Sequence, residues 1–391
     1  MRRIGTQAFG VRLPIISHGD DLATIVAESL CETLRSHSLT LRPTDVVGVT
    51  EALVAKVQGN FADIDDIAED IRRKFPEGEV GVVFPILSRN RFLNILKGIS
   101  RGAKKVHLLL QYPCDEVGNP LMNPEDVDAL RDSGRNFFSA AEFRELTGGY
   151  SHPFTGIEYP SLYRQAGDNI DIYISDDPRR ILDLTPHVLV GEIHARALTK
   201  KRLLQAGAKS VFTLSDVLAE PVNGSGFNPQ YGILGSNLSS DEQLKLFPRD
   251  CDEFVRMARE MIAEKCGVAP EVLIYGDGAF KDPLAGIWEL ADPVVAPAFT
   301  DGLKGRPREI KIKLVADTLF KDMHGSEKTA AVTEMIREKN KDKEKDCPSE
   351  GTTPRNYVDL LGSLCDLISG SGDKGTPVVL IQGYFDDYSS E

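Results

Sequence analysis

The residues most able to do chemistry lie at the ends of short apolar runs. In Val272-Leu-Ile-Tyr-Gly-Asp-Gly-Ala-Phe-Lys-Asp-Pro283, a strand-like segment delivers Asp277 between two glycines. An acid at a strand end is a common holder of a hard cation such as Mg2+ or Mn2+, and flanking glycines let a ligand or a backbone come close. The same residue type also caps ordinary turns. In Ser151-His-Pro-Phe-Thr-Gly-Ile-Glu-Tyr159, Glu158 comes shortly after Gly156 and precedes a segment that ends in Asp176-Asp177-Pro178. Two acids from separate turns suit a metal–phosphate site, because one carboxylate rarely holds Mg2+ beside a polyphosphate. Taken alone, Glu158 reads as a surface acid.

A third segment, Asp45-Val-Val-Gly-Val-Thr-Glu-Ala-Leu-Val-Ala-Lys-Val-Gln-Gly59, runs from a buried strand into an apolar stretch presenting Thr50, Lys56, Gln58 and Gly59. Lys56 has the chemistry to neutralise a β- or γ-phosphate as a point charge, although most such lysines are simply solvated. Arg89-Asn-Arg-Phe92 opens a helix that, with Lys97 and Arg101, forms a basic face; such faces are usually solvated too. None of the seven histidines has metal-ligand spacing; His18 and His152 lie nearest the other candidates.

These segments must be held by a frame of short strands and amphipathic helices. Asp20 or Asp21 is placed to cap a helix in which Leu22, Ile25, Val26 and Leu30 share a face. Strand patterns fall at Val80–Ile86, Val106–Leu110, Ile170–Ile174, Val188–Ile193, Val272–Tyr275, Ile310–Val315 and Val378–Ile381. Helical patterns separate most of them, which predicts a mixed α/β or α+β enzyme. No strand leads into G-x-G-x-x-G and there is no G-x-x-x-x-G-K-[ST], so neither a Rossmann nor a P-loop nucleotide site is expected. Pro221–Pro229 reads as an insertion or linker, and Arg337–Asp346 as a solvated helix end running into a loop.

The chain has 391 residues, 41% of them hydrophobic, enough for two packed domains. A net charge of -13 argues against general binding to nucleic acid. No apolar run spans a bilayer and the N-terminus does not read as a signal peptide, so a cytoplasmic protein is expected. Cys31, Cys114, Cys251, Cys266, Cys347 and Cys365 form no C-x-x-C pair and are read as reduced thiols.

In order along the chain, these segments resemble the coenzyme F420-0:L-glutamate ligase (gamma-glutamyl ligase) family. Leu13-Pro14 with Gly19-Asp20-Asp21-Leu22 is similar to the family's opening, and Val46–Gly59 to its strand-and-loop motif. Thr155-Gly-Ile-Glu158 stands where the family has Gly-Ile-Asp, and Asp176-Asp-Pro178 resembles its Asp-Pro turn. Gly276-Asp277-Gly278 replaces a Ser-Asp-Thr metal motif. Val315-Ala-Asp-Thr-Leu319 and Thr376-Pro-Val-Val-Leu-Ile-Gln-Gly383 complete the series. The departures are Glu for Asp at 158, Gly278 for a hydroxyl residue, and Ala279-Phe-Lys-Asp-Pro283 in place of Arg-Pro-Trp-Arg.

The resemblance implies a family-specific α+β fold, an intertwined homodimer, and a cleft taking GTP or ATP with Mg2+ or Mn2+ and room for a monovalent cation. By position, Glu158 and Asp277 would hold metal, Lys56 and Asp277 would be catalytic, and Thr50, Lys56, Gln58 and Gly59 would contact the nucleotide. The expected division is 1–150, a metal-site part at 151–320 with an insertion at about 185–265, and a C-terminal part at 321–391. The implied reaction joins L-glutamate or a similar amine to a small-molecule carboxylate through an acyl phosphate. A folate-type acceptor, a metal-dependent phosphohydrolase and a non-catalytic nucleotide-binding protein are the alternatives.

Overall fold

The computed structural model describes residues 4–152, 156–277, 292–341, 355–370 and 372–390, with the backbone of 280–281 and 288–289. The chain begins with β1 (Gln7–Val11), α1 (Leu22–Ser36), β2 (Val46–Thr50), α2 (Glu51–Val57), β3 (Phe61–Asp63) and α3 (Ile64–Lys74). It continues through β4 (Glu79–Val83), α4 (Leu93–Gly102), β5 (Lys105–Gln111), α5 (Pro124–Asp132), β6 (Phe137–Ser139), α6 (Ala140–Thr147) and α7 (Tyr159–Arg164). Next come β7 (Ile170–Ser175), β8 (His187–Val190), α8 (Arg196–Gln205), β9 (Ser210–Thr213), β10 (Asn237–Ser240), β11 (Gln243–Lys245) and α9 (Cys251–Cys266). The last are β12 (Glu271–Tyr275), β13 (Phe280–Lys281), β14 (Trp288–Glu289), β15 (Ala298–Phe299), α10 (Ile312–Asp317), α11 (Gly325–Lys341), α12 (Tyr357–Ile368) and β16 (Val378–Gln382).

Two sheets organise the molecule, in the mixed α/β, α+β class that the sequence implies. The first has the order β1-β16-β2-β12-β15. Alternation sends Val47, Val49, Val272, Ile274, Val378 and Leu380 to a face covered by α1 and α9. Val46, Leu273, Tyr275, Val379 and Ile381 point to the other face, under α12. Gly48 lies at the centre of this packing. A Cβ there would collide with the Cys365 Sγ of α12, so only glycine lets the helix come so close. Asp21 caps α1 by accepting from Thr24 N at 3.1 Å, and of the predicted face Leu22, Val26 and Leu30 are buried and Ile25 is partly buried.

The second sheet runs β6-β7-β5-β4-β8-β9. Five neighbouring strands are parallel, and only β6 is antiparallel. This is a doubly wound order without its glycine fingerprint, because β4 leads into Phe84-Pro85-Ile86. Phe84 has φ 51° and Pro85 follows, which ends the strand at Val83 rather than at Ile86. The strand expected over Val188–Ile193 likewise stops at Val190. Gly191 then packs against the backbone of Pro85. Residues 185–265 supply β8 and β9 to this sheet, the β10–β11 hairpin that pairs with β3, and α9 on the first sheet.

Three other expectations are corrected. The period-2 pattern of Ile310–Val315 is not a strand: residues 312–317 form α10, with Val315 buried and Ile312 and Leu314 turned to solvent. Lys, Leu and Ala are good helix formers, and local propensity wins there. Pro221–Pro229 is a packed loop rather than a linker, with Val222 and Asn228 buried and Gly226 N bonded to Phe61 O. Cys31 and Cys266 are not free thiols. Packing of α9 on α1 brings their Cα atoms to 5.6 Å and they form a disulfide across 235 residues of sequence. Cys365 is buried, Cys114 and Cys251 are half-buried, and Cys347 lies outside the described residues.

Candidate functional site

Strands β2 and β12 are parallel neighbours with Thr50 opposite Tyr275, so both end on the same edge of the first sheet. There β2 turns directly into α2 at Glu51, and β12 passes through Gly276 to Asp277. Asp292 returns to the same point, where Asp277 N donates to its Oδ2 at 2.7 Å. Gly276 makes this approach possible, since a Cβ at that position would strike the Asp292 carboxylate.

Arg91 reaches this edge from the β4–α4 connection of the second sheet. Its guanidinium spans both acids, Nη2 to Asp277 Oδ2 at 2.5 Å and Nη1 to Asp292 Oδ1 at 2.8 Å. The Asp292 side chain is 1% exposed and Arg91 12%, while Asp277 at 40% opens to solvent. Burial alone would weaken the Arg91 charge, but Asp292 and then Asp277 hold its pKa above the ordinary value. The cluster therefore has a dry side and a wet side, and Asp277 is at the boundary.

Glu51 adds a second ion pair. Its Oε1 accepts from Lys245 Nζ of β11 at 2.8 Å, with both side chains largely buried. Its Oε2 is buried and has no hydrogen-bond partner among the described residues. Burial pushes the carboxyl up to about 7; Lys245 and Arg91 pull it down, and Asp292 adds to the rise. Three acids (Glu51, Asp277, Asp292) and two cations (Lys245, Arg91) are thus paired around one strand edge.

The residues expected from sequence divide into three groups. Thr50 and Asp277 meet at this edge through the β2–β12 register. Lys56 is exposed near the far end of α2, roughly 7 Å along the axis from Glu51 at 1.5 Å per residue. Beyond it, Gln58 exchanges bonds with Arg249, Nε2 to O at 2.5 Å and Oε1 from N at 3.1 Å. Gly59 has φ 60° and lies under the His18 ring, while Gly19 N bonds Val57 O at 3.0 Å. Gln58 and Gly59 brace the turn that follows α2, next to Lys56.

Glu158 is held elsewhere. It caps α7, accepts from Ser161 N at 3.0 Å and pairs with Arg144 of α6 at 3.2 Å. Asp177 caps the turn at Pro178–Asp183 and chelates Arg179. Lys97 and Arg101 are surface residues bonded to Asp241 O, Asp65 and Glu242, as the solvated reading of that face predicts. Arg91, from the same motif, is not. Thr155, Gly278, Ala279 and the side chains of 280–283 lie outside the described residues.

Sequence reading missed Glu51, Lys245 and Asp292, and took Arg91 for part of a solvated face. No spacing connects positions 51, 91, 245, 277 and 292. One signal was present: Glu51 directly follows the strand β2, whose first four residues are buried. Among the described residues, no three His, Cys, Asp or Glu side chains are arranged to hold a metal ion. The donor set nonetheless suits a hard divalent cation, because two carboxylates here already share one positive charge, that of Arg91.

The chain belongs to the F420-0:gamma-glutamyl ligase family, whose model matches residues 10–383. The match runs from β1 to the end of β16 and includes the stretch at 185–265. No curated protein matches the chain. No helix among the described residues is long and apolar enough to cross a membrane.

Proposed function

We propose that this member of the gamma-glutamyl ligase family joins the amino group of L-glutamate, or a similar amine, to a carboxylate acceptor at the edge formed by β2 and β12. The observation that carries the reading is Arg91 bridging Asp277 and Asp292, a buried cation and two acids where a strand pair ends. Amide formation from a free carboxylate needs activation. The acceptor carboxylate attacks the γ-phosphate of GTP or ATP, and the amine displaces phosphate from the resulting acyl phosphate. Almost all of the catalysis in such a transfer is positioning and charge stabilisation.

Asp277 and Asp292 would hold Mg2+ or Mn2+, which when bound offsets charge on the transferring phosphoryl group. Arg91 is always protonated and presents a planar fork suited to phosphate or carboxylate oxygens. Lys56, exposed at the end of α2, would meet the outer phosphates, with Gln58 and Gly59 fixing the turn that follows the helix. The acceptor is a deazaflavin-type carboxylate, as in the family's name, or a folate-type one. Homodimerisation and a monovalent cation belong to the same proposal.

The test is nucleotide turnover with GTP and ATP and with Mg2+ or Mn2+, against a panel of carboxylate acceptors with and without L-glutamate. Turnover that needs acceptor and amine together, and that disappears in Asp277→Asn, is the expected result. Turnover indifferent to the amine would make the protein a phosphohydrolase, and nucleotide binding without turnover would make it a non-catalytic binder.

A further inference from the structure

Forming an amide from an ammonium group requires that the nitrogen give up protons, and neither Arg91 nor Lys245 can receive one. The carboxylates of Asp277 and Asp292 are both engaged with Arg91. Glu51 is different. It is the first residue of α2, at the edge where β2 and β12 end, and is 5% exposed. One of its oxygens is fixed by Lys245 and the other, Oε2, is buried with no hydrogen-bond partner among the described residues. A carboxylate oxygen left unsatisfied in a dry place is costly, and such sites call for an explanation.

We propose that Glu51 is the general base that takes the proton from the incoming amine, with Oε2 as the accepting atom and Lys245 holding the carboxylate in place. The proposal rests on the ligase reading above. In the step, the amine nitrogen forms a bond to the acyl carbon, the bond from that carbon to the phosphate oxygen breaks, and phosphate leaves with the electron pair. The ammonium nitrogen gives up two protons in the step: one passes to Glu51 Oε2 and the other leaves with the departing phosphate as its monohydrogen form. The charged and titratable groups facing Glu51 are Lys245 from β11, Arg91 from the β4–α4 connection, Asp292 from the segment after β14, and Cys251 from the start of α9. Their balance with burial keeps the carboxyl near neutrality, where a base is most effective.

Hydroxylamine separates this step from activation, because its nitrogen is unprotonated at neutral pH and attacks an acyl phosphate without a base. In Glu51→Gln, hydroxamate formation should persist within about threefold while amide formation with L-glutamate falls by roughly 10^2 to 10^4, the usual range for a lost acid–base group. The wild-type chain provides a test that does not depend on the variant folding. Its amide-forming rate should show an inflection near pH 7, where Glu51 titrates, that is missing from hydroxamate formation. Lys245→Met should move this inflection to higher pH, since Lys245 lowers the Glu51 pKa.

Equal loss of both products in Glu51→Gln would overturn the role, as would undiminished amide formation or an inflection shared by both amines. A wild-type chain that yields neither product with any acceptor would instead sink the ligase reading and remove the Glu51 role with it.

Discussion

Two strand edges in this protein carry buried carboxyls raised to the same level, in different surroundings. At the end of β2, Glu51 is pushed up to about 7 by burial. In the second sheet, Glu116 after β5 and Glu192 after β8 are also pushed up to about 7, again by burial, with Asp115 adding to the rise of Glu116 and Glu116 to that of Glu192. The surroundings differ. Glu51 lies among Lys245, Arg91, Asp292 and Asp277, with charges of both signs within one cluster. Glu116 instead accepts the backbone N–H groups of Ile193, at 2.8 and 3.1 Å, and of His194, at 3.4 Å, and thereby closes the 112–123 loop onto the start of α8. Glu192 bonds Thr199 on that helix. No ion pair reaches either acid among the described residues. A shifted carboxyl therefore does not identify a site; interleaved cations beside an open, solvent-facing acid do so more reliably.

The largest effect should come from breaking the mixed cluster. Arg91→Met leaves Asp292 charged and almost fully buried without its partner, a loss of about 3–5 kcal/mol of stability when one member of a buried pair is removed. Turnover should be abolished together with it. Arg91→Lys keeps the charge but loses the fork that holds two carboxylates, so part of the stability should return and little of the activity. Denaturant titration alongside the nucleotide assay checks both. Full activity in Arg91→Met would leave the cluster a structural feature like its counterpart at Glu116 and Glu192.

The disulfide sharpens the comparison next, because it ties α1 to α9 on the first sheet alone. Reduction, or Cys31→Ser, should cost about 2–4 kcal/mol and should raise hydrogen exchange in α1 and α9 before it does so in β4, β5 and β8. Uniform exchange across both sheets would show that they unfold as one unit.

Glu192 gives a smaller effect with a definite sign. Its pKa is near 4.5 in the unfolded chain and about 7 in the folded one, so the folded state binds the proton more tightly. Its favourable contribution is complete below pH 4.5 and is lost as pH rises through 7. Glu192→Gln removes the buried charge while keeping the shape and a group able to bond Thr199. It should stabilise the protein by about 1–3 kcal/mol at pH 8 and by almost nothing at pH 4.5, as thermal melts at the two pH values would show. Destabilisation at pH 8 would mean that the Glu192 charge is compensated after all, and the contrast between the two edges would weaken.

Elements with a clear hydrophobic period were legible in the sequence. The cap at Asp21, the face Leu22-Val26-Leu30, and the strands at 46–50, 106–110, 170–174, 272–275 and 378–381 follow from local pattern. What local pattern could not give was strand order, which brings Thr50 level with Tyr275 and so sets Glu51 and Asp277 on one edge. Nor could it pair Cys31 with Cys266, or bring Arg91 186 residues along the chain to Asp277. Long-range contacts carry no spacing signal. The acids that were easy to single out were those next to glycine or proline, and of these Glu158 and Asp177 are engaged by capping and nearby arginines.

The smallest expected effect decides between two assignments of the metal. Glu158 was singled out because it stands where the family carries Asp, whereas Asp292 was found only through its contact with Asp277. The Arg144–Glu158 pair has side chains 61% and 23% exposed, so screening by water limits its worth to less than about 1 kcal/mol. Glu158→Gln keeps an oxygen for Ser161 N and should leave both stability and the Mg2+ or Mn2+ dependence of turnover essentially unchanged. Asp292→Asn should shift that dependence to higher metal concentration at least tenfold, the lower end of what a disturbed metal site loses. The reverse outcome, a large metal effect at 158 and none at 292, would move the metal to the second sheet and leave the Arg91 cluster to bind phosphate alone.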